Sequence, residues 1–324
     1  MNVLFTSVGR RVELVRAFRR GLDELGLEGR LVGVDIDPLA AALQVTDERH
    51  MVPRFTSPEY IPALLDICAG DDIDLLVPLN DHEMPPLVEH IAEFERLGVR
   101  PLVLGPDTYR FTEDKLETYR FFVDLGVPTP ETWTPDEAND AGVDFPRFVK
   151  PRRGSSGKDA FLARNQREFE FFVDYVNDPL VQEYIEGPEI TSDVLCDAAG
   201  SVRSVVSRRR IEVRAGEVSK GTTVIDTDVI ERCVQIAQGL KATCPITVQC
   251  MVRDDVALFT EVNPRFGGGV PLALEAGAPL PQWLLALEAG IPVSIPPLGS
   301  YREGVFFTRF DEAFSFDRGN IDGT

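Results

Sequence analysis

The densest chemistry in this chain lies in one short run, Thr260-Glu261-Val262-Asn263-Pro264-Arg265-Phe266-Gly267-Gly268-Gly269. Alternate side chains of a strand share a face, so Glu261 and Asn263 point the same way. A carboxylate and an amide oxygen side by side suit a hard cation such as Mg²⁺. Pro264 stops a paired strand and leaves the two ligands at its open end, where Arg265 can reach a phosphate. Gln249 sits on the preceding apolar run, 248–252, and a turn at Arg253-Asp254-Asp255 would fold the two runs together and align Gln249 with the pair. Read alone, the segment also fits a surface strand end with a polar turn.

Three other segments carry groups of the right kind. Phe148-Val149-Lys150 is an apolar strand ending in a lysine, and it opens into Pro151-Arg152-Arg153-Gly154-Ser155-Ser156-Gly157-Lys158. Glycines let backbone N–H groups converge on an anion, and the cations add charge. The spacing G-x-x-x-x-G-K-[ST] is absent, so this is no Walker P-loop; the plain alternative is a flexible hairpin turn. In Val181-Gln182-Glu183-Tyr184-Ile185-Glu186-Gly187-Pro188-Glu189 two acids flank a Gly-Pro turn. Glu183 could accept from an adenine amine and Glu189 from ribose hydroxyls, or both could belong to a solvated acidic turn. Lys115 stands on a helix surface, where a lysine is ordinarily just solvated.

Candidates for a second substrate are more scattered. Ser7-Val8-Gly9-Arg10-Arg11 follows a strand and opens a helix, so its N–H groups could hold a carboxylate or phosphate; a tight βα turn is the alternative. It lacks G-x-G-x-x-G, which argues against a dinucleotide site. Asn80-Asp81-His82-Glu83 follows another strand, at the sheet edge where ligands gather, and there Asp81 is a candidate contact and His82 a candidate base. Arg208 and Arg210 share a strand face and could bind a carboxylate or phosphate, if surface acids do not hold them. Ser219-Lys220-Gly221-Thr222 reads as a second mobile loop that brings Lys220 to the site.

These residues need a scaffold. Over residues 1–106 short apolar runs at 3–5, 31–34, 75–78 and 102–104 alternate with amphipathic stretches at 12–25, 58–69 and 86–97, which predicts a doubly wound parallel sheet. Residues 107–185 read as a leading helix, 107–125, followed by a small α/β unit. Residues 186–324 are dominated by strands, with helices at 227–240 and 271–289. The fold class is α/β, turning to α+β in the second and third parts.

Bulk properties narrow the function classes. The 324 residues carry a formal charge of −20, a field that repels nucleic acid and anionic membranes. An anionic ligand must then be met by a local cationic cluster and by metal. No apolar run is long enough to span a bilayer, and the N-terminus is strand and turn rather than a signal peptide, so the expected location is cytoplasmic. Five cysteines without a CxxC pair read as buried thiols, and three scattered histidines do not make a zinc site.

In order and spacing, Lys115, Lys150 with its Gly-Ser loop, the Glu183–Glu189 turn and Glu261–Arg265 together resemble the ATP-grasp superfamily, especially its carbamoyl phosphate synthase large-chain branch. The resemblance covers essentially the whole chain, with 1–106 like a pre-ATP-grasp domain. It implies that Lys115, Lys150, Ser155, Ser156 and Gly157 hold ATP phosphates. Glu183, Tyr184 and Ile185 would meet adenine, and Glu189 the ribose. Gln249, Glu261 and Asn263 would ligate Mg²⁺ or Mn²⁺, with Arg265, Lys150 and Arg210 in catalytic roles. Many members have an acid where Gln249 stands; glutamine matches the synthase branch and leaves a second metal in doubt. The reaction implied is activation of a small-molecule carboxylate as an acyl phosphate and its joining to an amine, with a homodimer possible. The alternatives are a carbamoyl-phosphate-synthase-like phosphorylating enzyme and a silent nucleotide-binding regulator.

Overall fold

A computed structural model describes residues 1–142, 144–154, 157–214 and 217–316, with Glu217 through its backbone only. Ser155 and Ser156 lie outside the described residues.

The chain begins with β1 (Val3–Thr6), α1 (Val12–Leu25), β2 (Leu31–Asp35), β3 (Glu48–Met51), α2 (Tyr60–Gly70), β4 (Leu75–Pro78), α3 (Met84–Glu89), α4 (Ile91–Arg96) and β5 (Arg100–Pro101). The strands form one parallel sheet in the order β3-β2-β1-β4-β5. β1, β2 and β4 are buried along their whole length, as sheets covered on both faces require. α1 buries Leu14, Val15, Phe18 and Leu22 at helical spacing, and Gly26 ends it in the left-handed region. The predicted parallel sheet is thus borne out, with β3 as an unpredicted polar edge strand. The strand expected at 102–104 is instead β5, the two residues just before it, and the helix expected at 86–97 breaks at His90.

The next part holds α5 (Pro106–Glu113), α6 (Lys115–Leu125), β6 (Thr132–Trp133), α7 (Pro135–Asp140), β7 (Arg147–Pro151), β8 (Phe161–Ala163), α8 (Gln166–Tyr175) and β9 (Pro179–Glu183). Its antiparallel sheet, β6-β9-β7-β8, packs on a small core of its own that includes Val149, Phe169 and Val181. The single helix expected at 107–125 is in fact two. Asp114 between them is extended, and its carboxylate accepts from Leu116 N at 2.9 Å, capping α6.

The last part holds β10 (Glu189–Cys196), β11 (Val202–Arg214), β12 (Glu217–Thr223), α9 (Thr227–Gly239), β13 (Ile246–Arg253), β14 (Val256–Asn263), α10 (Val270–Glu275), α11 (Leu280–Glu288) and β15 (Phe306–Thr308). Its sheet runs β14-β13-β10-β11-β12-β15, antiparallel throughout. The mobile loop expected at 219–222 is strand β12, paired on both sides. The helix expected at 271–289 is α10 and α11, interrupted at Gly277, which adopts a φ of 95°. One continuous core joins this sheet to the N-terminal one, with Phe18 of α1 meeting Phe266 edge to face at 5.8 Å. Among the described residues no helix is long and apolar enough to cross a membrane.

Candidate active site

The hairpin of β13 and β14 sets the centre of the site. Its turn residues, Asp254 and Asp255, both have positive φ (49° and 61°), as a two-residue hairpin whose twist matches its strands requires. Gln249 pairs directly with Glu261, and Thr247 with Asn263. A bulge makes this possible. Cys250 pairs with Phe259, so Thr260 is an extra residue in β14. Without it, Gln249 would oppose Thr260. With it, Phe259 and Val262 both reach the core, while Glu261 stays half-buried at the strand's edge.

Past Pro264 the chain turns, with Arg265 N donating to Asn263 O at 2.8 Å. The Arg265 guanidinium forms an ion pair with Asp81 of the N-terminal unit and donates to Phe266 O at 3.2 Å. Asp81 is held out by a rigid turn. Asn80 caps that turn, and the fully buried Glu83 accepts from Leu79 N and Asn80 N (3.0 Å each) and from Tyr60 OH and Ser7 Oγ (2.7 Å each).

Gly267 to Gly269 lie directly on a buried ion pair between Arg208 and Asp193, each side chain 3% exposed. A Cβ on Gly269 would stand 2.1 Å from Arg208 Nε, so only glycine permits this approach. Burial works against both charges of the pair, and each offsets part of that penalty for the other. Arg210, two residues along β11, donates to Glu189 Oε1 at 2.6 Å. Glu189, Arg208, Arg210, Gln249, Asn263 and Arg265 all line one cleft of about 410 Å³, which Gly157 also borders. Asp81, His82, Gly154, Glu261 and Asn263 border a second hollow of about 200 Å³ on the other side of Asn263.

The lysines approach from the smaller sheet. Lys150 Nζ donates to Gln182 Oε1 at 2.8 Å, and Gln182 Nε2 to Thr132 Oγ1 at 2.8 Å. Burial pushes the Lys150 ammonium down to about 8; nearby Lys115 adds to this and Glu261 opposes it. Lys115 is the first residue of α6, not a mid-helix surface residue. Its Nζ donates to Gly154 O at 2.6 Å, which ties the helix start to the glycine loop. Asp114 beside it binds Arg152 (2.5 Å) and Arg153 (3.4 Å). Burial works against its charge, but hydrogen bonds from Arg152 and the Leu116 amide hold its carboxyl below the usual range.

At the far end Glu183 is ion-paired with Arg253 of the hairpin. Tyr184 is exposed and Ile185 buried. The following Gly187-Pro188 turn presses on β13, where a Cβ at Gly187 would lie 1.9 Å from Val252 O.

The candidates for the second substrate are largely engaged within the fold. Three N–H groups of the Ser7–Arg11 turn are already engaged: Gly9 N donates to the Asp35 carboxylate at 2.8 Å, Val8 N to Val34 O and Arg11 N to Val8 O, while the Ser7 hydroxyl serves Glu83. Lys220 is on β12, outside the cleft, and its Nζ donates to Glu212 at 2.7 Å. Arg208 reaches the cleft wall, but as the buried partner of Asp193. His82 is exposed and stacks on Phe55. Sequence reasoning missed Asp114, Gln182, Asp193 and Glu83. Asp114 and Glu83 had local signals, Asp114 as an Asp three residues before Glu117 at a helix start and Glu83 as the acid three residues after the capping Asn80.

The oxygen set Gln249, Glu261 and Asn263 fits a hard cation that keeps other oxygens in its shell. Among the described residues no group of three His, Cys, Asp or Glu makes a richer metal site.

Comparisons with known proteins bear on the family and the fold. Residues 3–102 match the family model described as PylC-like, N-terminal domain, and residues 112–269 match that of the ATP-grasp domain. The carbamoyl-phosphate synthase of Methanobrevibacter smithii is 28% identical over 180 residues, 53% of this chain and 47% of that protein. The 3-methyl-D-ornithine–L-lysine ligase of Methanosarcina acetivorans is 24% identical over 249 residues, 76% of this chain and 62% of that protein. The chain therefore spans only about half to three-fifths of these relatives' lengths. The biotin carboxylase–β,γ-ATP complex from Campylobacter jejuni superposes with a TM-score of 0.74 at 16% identity, over 94% of this chain and 74% of the other, a likeness of fold. With both domain models matched in order over most of its length, the chain belongs to the ATP-grasp superfamily, as a PylC-like N-terminal domain followed by an ATP-grasp domain.

Proposed function

We propose that this protein is an ATP- and Mg²⁺-dependent ligase that activates a small carboxylate as an acyl phosphate and joins it to an amine. The observation that carries the reading is the convergence at one strand end. Gln249 faces Glu261 across the hairpin, Asn263 and Arg265 follow, and the half-buried Lys150 feels the Glu261 charge. The name of the M. acetivorans relative, a ligase of two amino acids, supports the reaction class. The domain boundaries proposed are near residues 106 and 185, with the nucleotide held between the second and third parts.

The substrate carboxylate attacks the γ-phosphorus, and the bond to ADP breaks. The amine nitrogen then attacks the carbonyl carbon, phosphate leaves, and the nitrogen loses a proton. Lys115 and Lys150 offset phosphate charge, and Arg265 and Arg210 that of the reacting carboxylate. Mg²⁺ held by Gln249, Glu261 and Asn263 would neutralise phosphate oxygens and fix their geometry. Tyr184, Ile185 and Glu183 would receive the adenine, and Glu189 the ribose.

The test is product analysis with the purified chain, Mg-ATP and panels of acids and amines. ADP and phosphate should form together, with the amide, only when both an acid and an amine are present. Nucleotide binding with no turnover on any pair would leave a regulator. Glu261→Gln should lower turnover at least 100-fold; unchanged metal-dependent turnover would overturn the metal assignment.

A further inference from the structure

The cleft has an annex. Beyond a wall shared by Arg11, Val218, Gly267 and Gly268, a second cavity of about 260 Å³ opens between the start of α1 and the segment after β15. Two of the four wall residues are glycines, which add no side chain of their own, and Arg309 reaches the wall from the annex side to donate to Gly268 O. The annex is amphipathic: Val218, Pro271 and Phe307 contribute apolar surface, and five arginines (Arg10, Arg11, Arg16, Arg214, Arg309) face three acids. Two of those acids are engaged, Asp311 by Arg214 at 3.0 Å and Glu312 by Arg16 at 3.8 Å. On a chain of net charge −20, a cationic excess of this kind is a local construction and not a compositional accident.

We propose that the annex seats the far end of the acid activated in the cleft, and that this acid carries a second anionic group on an apolar body. The inference rests on the ligase reading. The reacting carboxylate belongs beside Arg265 and Asn263, which line the cleft and not the annex. Whatever part of the same molecule passes over Gly267 and Gly268 enters a space whose walls supply planar cationic forks and aromatic or aliphatic surface. Guanidinium groups bind carboxylates and phosphates in the same two-pronged way, so either can be the second group.

The experiment measures binding of three probes to the MgADP-loaded chain by calorimetry: phenylsuccinate, its analogue with the distal carboxylate replaced by phosphonate, and 3-phenylpropionate, which has one carboxylate. At least one dianionic probe should bind tenfold or more tighter than 3-phenylpropionate, and the better of the two identifies the second group. Arg10→Gln, and Ala41→Phe, which fills the annex from its far side, should each remove that preference while MgADP affinity stays within twofold. Equal binding of all three probes, or variants that keep the preference, would overturn the annex while leaving the ligase reading intact. Failure of the wild-type chain to bind MgADP would instead bring down the nucleotide site and the annex with it.

Discussion

Lys150 is the residue whose charge the fold most visibly works against. Its ammonium is held near 8, mainly by burial, against about 10.4 for a free lysine. The folded chain disfavours the charged form, so the destabilisation is full below about pH 8 and fades as pH rises toward about 10.4. Phosphates favour the charged form, so nucleotide binding above pH 8 should take up a proton. MgADP affinity is expected to fall about tenfold per pH unit above pH 8, and Lys150→Arg should flatten that slope, measured by calorimetry. The cysteines make the opposite case. All five are buried, and burial pushes the Cys68, Cys196 and Cys233 thiols up to about 12. A thiol reagent should find none of them in the native chain and all of them after denaturation.

Elements position these residues, and here the sequence was partly legible. The two strands of the β13–β14 hairpin follow from alternation and a turn of adjacent acids, but the facing of Gln249 with Glu261 needs the extra residue Thr260. That bulge was not legible, because an extra strand residue is visible only against its partner. β12 was mistaken for a loop because Lys220-Gly221-Thr222 is rich in turn residues, while its strand state depends on pairing with β11 and β15. The Ser7–Arg11 turn looked like an anion site because its satisfying acid, Asp35, is remote in sequence. The break at Asp114 matters most, since it starts a helix at Lys115. Asp114→Ala removes both the cap and the Arg152 ion pair and should destabilise the chain by about 2 kcal/mol in chemical denaturation, with weaker MgADP binding. Gly187→Ala drives a methyl into the Val252 carbonyl and should cost about 1–3 kcal/mol, again read from denaturation.

At the scale of the whole molecule, the N-terminal unit is tied to the ATP-grasp part by a shared core and by the Asp81–Arg265 ion pair. Asp81 was a candidate contact for a substrate; its partner is the motif arginine. Asp81→Asn keeps the size and removes the charge that aims Arg265. MgADP should still bind within threefold, while ligase turnover falls at least tenfold, a split that simple misfolding would not give.

The facing of Gln249 and Glu261 also bears on the sequence of events in a catalytic cycle. On the proposed metal site, the three oxygens of Gln249, Glu261 and Asn263 would carry one formal charge among them, with cationic Lys150 nearby, a weak trap for a free divalent ion. The remaining negative charge must arrive with the nucleotide. Metal and nucleotide should therefore enter as one body, in a compulsory order ahead of the acid. Electron paramagnetic resonance of Mn²⁺ should show the ion free when mixed with the protein alone at 100 µM (roughly the range where a site of one carboxylate stays empty), and bound once ADP is added.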